Sequence, residues 1–99
     1  MHQIEISDGA LDELAALRAF DENRILEAIE KQLSHQPNVE TRNRKKLVGV
    51  TPPFEAVLPV WELRVGRYRV FYDVSDEDQM VYVRSVRDKP PHKTLEEIL

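Results

Sequence analysis

The stretch "WELRVGRYRVFYDV", residues 61–74, sets Arg64, Arg67 and Arg69 among Trp, Tyr and Val side chains around a lone glycine, Gly66. Successive strand side chains point to opposite faces. If Trp61, Leu63, Val65, Tyr68, Val70 and Tyr72 face a core, the three arginines therefore share the other side. A row of guanidinium groups offers forked donors that fit phosphate oxygens, and lysines add mobile point charges. Two further basic runs can reach that face: "TRNRKK", with Arg42, Arg44, Lys45 and Lys46, and "RDKPPHK", with Arg87, Lys89, His92 and Lys93. A plainer reading is a solvated strand face on which Arg64 pairs with Glu62 or Asp73, an exposed contact of about 0 to 1 kcal/mol. "TRNRKK" reads equally well as a solvated loop.

The distribution of charge bears on that choice. A net charge of -4 argues against a polyanionic partner, yet residues 41–71 carry seven Lys or Arg against two Asp or Glu. Residues 1–40 carry three against nine, and residues 72–99 four against seven. The middle third is a basic island whose local field a phosphate chain would feel within a Debye length of about 8 to 10 Å. Cysteine is absent, which excludes disulfides, thiolate metal sites and a cysteine nucleophile. His2, His35 and His92 lack ligand spacing, so no metal and no cofactor is expected. No apolar run approaches the roughly 18 to 20 residues of a membrane span, and the N-terminus lacks a signal-peptide pattern. A cytoplasmic protein with no membrane partner is the expectation.

The elements that position these residues are legible from periodicity. "HQIEIS" alternates as a strand ending near Ser7, and Ser7 or Asp8 can cap a helix with Ala10, Leu11, Leu14 and Leu17 on one side. Asp21 is placed to cap a second helix, in which Ile25, Leu26, Ile29 and Leu33 repeat at helical spacing before Pro37. A long connection follows, with one short strand near Leu47. Two alternating strands around Gly66 predict a hairpin, and "MVYVRSV" after the polar turn "SDEDQ" completes an antiparallel meander. Thr94 and Glu97 form a capping box for a short last helix. At 99 residues the chain fits one domain, 1–99. The order β-α-α-β-β-β with a short C-terminal helix predicts an α+β fold. Two N-terminal helices pack on one face of a small antiparallel sheet, and the opposite face is left free.

The run "LRVGRYRVFYDVSDEDQMVYVRSV", preceded by two amphipathic helices and "RNRKKL", resembles the RelE/ParE superfamily of toxins from bacterial type II toxin-antitoxin systems. The resemblance extends from the first strand to the start of the last loop. In the RelE branch it implies messenger RNA cleavage on the ribosome; in the ParE branch it implies inhibition of DNA gyrase without cleavage. By the same resemblance Arg69 matches an arginine used near the scissile phosphate, Arg64 a nearby basic strand residue, and Lys89 a basic residue after the last strand. The chain departs from the RelE pattern in having Val60 and Glu62 where lysines precede the hairpin arginine. Near the C-terminus, Leu95 or His92 stands where a tyrosine is common.

Metal-free RNA cleavage needs a base for the 2′-OH proton, cations for the crowded phosphorane and an acid for the leaving oxygen. Arg69 and Arg64 suit the charge stabilisation. His92, the one histidine in a basic loop, is the candidate acid or base, with Glu62 a second candidate base; as a residue between Pro91 and Lys93, His92 also reads as a solvated loop side chain. The expected catalytic set is Arg69, Arg64, His92 and Lys89, with nucleic-acid contacts from Arg42, Arg44, Lys45, Lys46, Arg67, Arg87 and Lys93. Three roles remain open: ribosome-dependent endoribonuclease acting on mRNA, non-nucleolytic inhibitor of the gyrase type, or weakened interaction module. The expected partner in the first two is a cognate antitoxin protein in a hetero-oligomer.

Overall fold

The computed structural model describes all 99 residues. Its elements are β1 (Gln3–Ile6), α1 (Asp8–Ala15), α2 (Ala19–Leu33), β2 (Arg44–Lys46), β3 (Trp61–Val65), β4 (Tyr68–Ser75), β5 (Met80–Asp88) and α3 (Leu95–Ile98). The five strands form one sheet in the order β1-β5-β4-β3-β2. The expected meander is present as β3, β4 and β5, all antiparallel, but β1 joins β5 in parallel, so the sheet is mixed. Two helices lie between β1 and the meander in sequence, which gives the chain the length a parallel return requires.

Both helices pack on one face. Ala10 and Leu14 of α1 and Ile25, Ile29 and Leu33 of α2 are buried against Trp61, Leu63, Val65, Tyr68, Val70, Tyr72, Val81, Val83 and Val86. Each fully buried aliphatic side chain contributes about 1.5 to 3 kcal/mol. Trp61 and Tyr72 stack with ring centroids 6.3 Å apart, and the Tyr72 hydroxyl donates to the Pro37 carbonyl at 2.6 Å, which fixes the exit of α2 to the sheet. Leu11, expected on the core side, is 48% exposed. Ser7 caps α1 as expected, its Oγ accepting from the Ala10 amide. The α2 start differs: the helix begins at Ala19, so Asp21 falls within its first turn. There its carboxylate accepts from Arg18 and from the Tyr68 hydroxyl. An acidic side chain in a first turn still complements the helix dipole.

The opposite face of the sheet is only partly free. The connection after β2 folds back over it, and Leu47, Val60, Phe71 and Ile98 form a second, smaller core with Val50, Phe54, Ala56, Leu95 and Leu99 packed around them. Phe71 points away from the helices and would otherwise lie on bare sheet, which explains why a segment with no periodicity of its own is held there. Asp73 clamps that segment: its carboxylate accepts from the Val57 amide at 3.1 Å and from Arg84 at 2.6 and 3.2 Å. The capping box of α3 is formed, and Ile98 seats the helix on the same cluster. The short strand of the connection lies at Arg44–Lys46, inside the basic run.

Candidate functional site

The hairpin between β3 and β4 turns on Gly66, whose φ of 58° with no positive φ at Arg67 is the type II′ pattern. A Cβ at Gly66 would also lie 2.7 Å from an Arg24 guanidinium nitrogen. This tight turn sets the register in which Arg64 stands opposite Arg69, and Arg69 in turn stands opposite Arg87 on β5. Three arginines therefore lie abreast on the face away from the helices. The Arg64 amide bonds to the Asn43 carbonyl of the β2 side, so Arg64 and Arg69 form a non-hydrogen-bonded pair, the closer kind, with Cα atoms about 4.5 Å apart.

Their environments differ. Arg69 is 6% exposed and donates from one terminal nitrogen to the Gly66 carbonyl at 2.8 Å and the Tyr68 carbonyl at 2.9 Å. No fully sealed side-chain nitrogen or oxygen lacks a partner, so the unpaired Arg69 nitrogens keep contact with solvent. Burial lowers its pKa, the nearby Arg64 charge lowers it further, and Glu62 acts the other way; a guanidinium stays protonated regardless. Arg64 is exposed and has no acidic partner. Lys89 follows β5, its amide bonded to the Arg67 carbonyl at 2.7 Å, and the alternation of the strand puts it on the Arg87 face.

Arg87 serves as an anchor. Its guanidinium bonds Ser85 Oγ at 2.8 Å and the Ile98 carbonyl at 3.1 Å, pairs with Glu13 at 3.2 Å, and sits 5.9 Å from the Phe54 ring centroid. It thereby joins α1, β5, α3 and the folded-back connection. Glu13 and Phe54 carried no sequence signal for this role, because their contacts span loops that local periodicity does not encode.

The other candidates scatter. Arg44 is buried on the helix side, donating to the Val39 carbonyl at 3.1 Å and to Gln32 and His35 carbonyls at the end of α2. Its charge closes a helix C-terminus instead of facing solvent. Arg67 forms a two-point pair with Asp88 at 2.6 and 2.8 Å, and this bond raises its pKa. Lys93 pairs with Glu97 at 3.7 Å. Arg42, Lys45 and Lys46 are exposed at the β2 edge, where Lys45 stands opposite Glu62. His92 is exposed in the turn before α3, and no hydrogen bond or ion pair joins it to the arginine row. What the fold brings together is Arg64, Arg69 and Lys89, three cations without a carboxylate partner, braced by Arg87.

A family model described as the ParE toxin of type II toxin-antitoxin systems matches residues 4–89. The chain belongs to this RelE/ParE toxin family. No curated protein matches it in sequence. Among solved structures, the toxin is similar to the archaeal RelE-RelB complex from Pyrococcus horikoshii, with 23% identity, a TM-score of 0.68, and coverage of 94% of this chain and 98% of that one. It is also similar to the RelBE2 toxin-antitoxin complex from Mycobacterium tuberculosis, at 23% identity, TM-score 0.68, and coverage of 90% and 98%. The isolated E. coli RelE toxin matches at 21% identity, TM-score 0.64, and coverage of 98% and 94%. These likenesses concern the fold. The first strand and the last strand of the toxin bound the matched region, as the resemblance in the sequence implied.

Proposed function

We propose that this toxin cleaves messenger RNA on the ribosome and that a cognate antitoxin neutralises it. The observation that supports cleavage is the unpaired set Arg64, Arg69 and Lys89 on one face. Cross-strand like charges destabilise a sheet, and a fold that keeps two of them adjacent without a carboxylate is set up for an anionic ligand. Arg69, oriented by two backbone carbonyls, presents its remaining donors as a fixed fork for a phosphate, while Arg64 and Lys89 supply charge on either side. Preorganised charge of this kind stabilises a phosphorane without reorganising at the moment of reaction. The antitoxin follows from the family, and the relatives from P. horikoshii and M. tuberculosis are complexes of that kind.

One observation favours the ParE-like reading, a protein-binding inhibitor of the gyrase type: Arg69 bonds only to backbone carbonyls, and no histidine or carboxylate is hydrogen-bonded to it, although the Glu62 charge acts on it from nearby. Induction of the toxin without its antitoxin separates the two. Growth arrest with new message ends inside ribosome-bound codons supports cleavage. Arrest with intact messages and a DNA-damage response supports the inhibitor, and undisturbed growth of cells holding soluble toxin sinks both.

A further inference from the structure

An open sheet edge offers backbone N–H and C=O groups to any extended chain, and soluble proteins blunt such edges. This toxin blunts nearly all of its own. At the β2 edge, the outward Arg44 amide donates to Thr41 Oγ1 at 3.2 Å, the Arg44 carbonyl accepts from the Thr41 amide at 3.0 Å, and the Lys46 amide points to the Glu40 carboxylate at 3.4 Å. On β5, beyond the end of β1, the Arg84 carbonyl accepts from Ser7 Oγ at 3.0 Å and the Val86 amide donates to Glu13 at 3.0 Å.

β1 is the exception. The Gln3 amide bonds the Gln79 carbonyl and the Ser7 amide bonds the Val83 carbonyl, so the odd-numbered residues face β5. The backbone groups of Ile4 and Ile6 consequently point outward, and neither residue has a partner for them in this chain. The free window is closed at one end by the His2 amide, bonded to the Ser34 carbonyl, and at the other by the start of α1. Beside it lies a groove of about 280 Å³ lined by Ile4, Ile6, Leu26, Ile29 and Glu30.

We infer that this edge receives an extended segment of the antitoxin, which adds a sixth strand beside β1. Main-chain bonds to Ile4 and Ile6 would hold it, and alternate apolar side chains would enter the groove over Leu26 and Ile29. Its charged residues include Lys or Arg, because Glu30 lines the groove and the exposed Glu5 lies on the other face of β1, within an N-terminal region that has nine acidic residues against three basic ones. The groove lies on the helix side of the sheet, whereas the arginine row lies on the other face. It rests on the antitoxin part of the proposed function and is independent of the nuclease part.

Amide hydrogen exchange on the free toxin and on its complex with the full-length cognate antitoxin tests it. In the free toxin the Ile4 and Ile6 amides exchange fast and those of Gln3 and Glu5 slowly; in the complex Ile4 and Ile6 slow by roughly tenfold or more. Ile4→Pro, which removes one outward amide at an edge position that tolerates proline, weakens the complex while the free toxin stays folded. A complex that forms with Ile4 and Ile6 exchanging as before overturns the docking alone. Protection already present in free toxin and rising with its concentration makes the occupant a second copy and also overturns it. If no complex forms, the antitoxin reading itself fails and takes this inference with it.

Discussion

Arg64 and Arg69 face each other across the β3–β4 hairpin as a directly opposed pair of like charges, with no carboxylate bonded to either. Such a pair costs the sheet about 0.2 to 1 kcal/mol relative to a neutral one. The proposed phosphate-binding role would account for keeping such a pair beside the Gly66 turn.

Arg64→Thr should therefore raise stability by a few tenths of a kcal/mol and abolish growth arrest at the same time. Denaturant unfolding together with plating after induction measures both. A variant that is less stable, or still toxic, contradicts the role given to this side chain.

Tyr72→Phe leaves the buried Pro37 carbonyl without its donor and should cost about 1 to 3 kcal/mol at neutral pH. Burial raises the Tyr72 pKa well above its ordinary value, so the folded state favours the neutral hydroxyl. That stabilisation is complete below about pH 10, where tyrosine ordinarily ionises, and is lost as pH climbs toward the raised folded value. Wild-type stability should thus fall more steeply above pH 10 than that of Tyr72→Phe, as read by urea midpoints across that range.

Asp73→Ala removes the acceptor of both Arg84 and the Val57 amide. Breaking one side of a buried ion pair costs about 3 to 5 kcal/mol, and the connection 47–60 loses its clamp. Limited proteolysis should find new cuts in that segment before the meander is attacked. Equal resistance in wild type and variant would show that Leu47, Val60 and Phe71 hold the connection unaided.

The Glu97 carboxylate accepts from the Thr94 backbone amide, which holds its pKa below the ordinary value. The capping contribution is present above the ordinary glutamate range and disappears as pH falls through the lowered folded value. α3 should fray first on acidification, seen as amide shifts of Leu95–Ile98, while Glu97→Gln shows no such titration.

How far the sequence carried follows from the range of each interaction. Strand alternation in 61–74 and 80–86, the Gly66 turn, the Ser7 cap and the Thr94–Glu97 box depend on neighbours within a few residues, and all were legible. The cover over Phe71 was not, because residues 47–60 are placed by contacts with β4 and α3 and have no period of their own. Arg44 illustrates the same limit at the site. In sequence it is one more cation in "TRNRKK", and only the geometry turns it inward to the α2 carbonyls. Arg64 and Arg69 could be placed together because a two-residue turn dictates their register. The anchoring of Arg87 by Glu13, 74 residues away in sequence, could not.

The most direct test is cleavage by purified toxin of a message held on programmed ribosomes, comparing wild type with Arg69→Ala after circular dichroism has shown that the variant is folded. Wild-type toxin should produce new message ends at the ribosome-bound codon, and Arg69→Ala should lose them. Intact message with active wild-type toxin, or equal cleavage by Arg69→Ala, would contradict it.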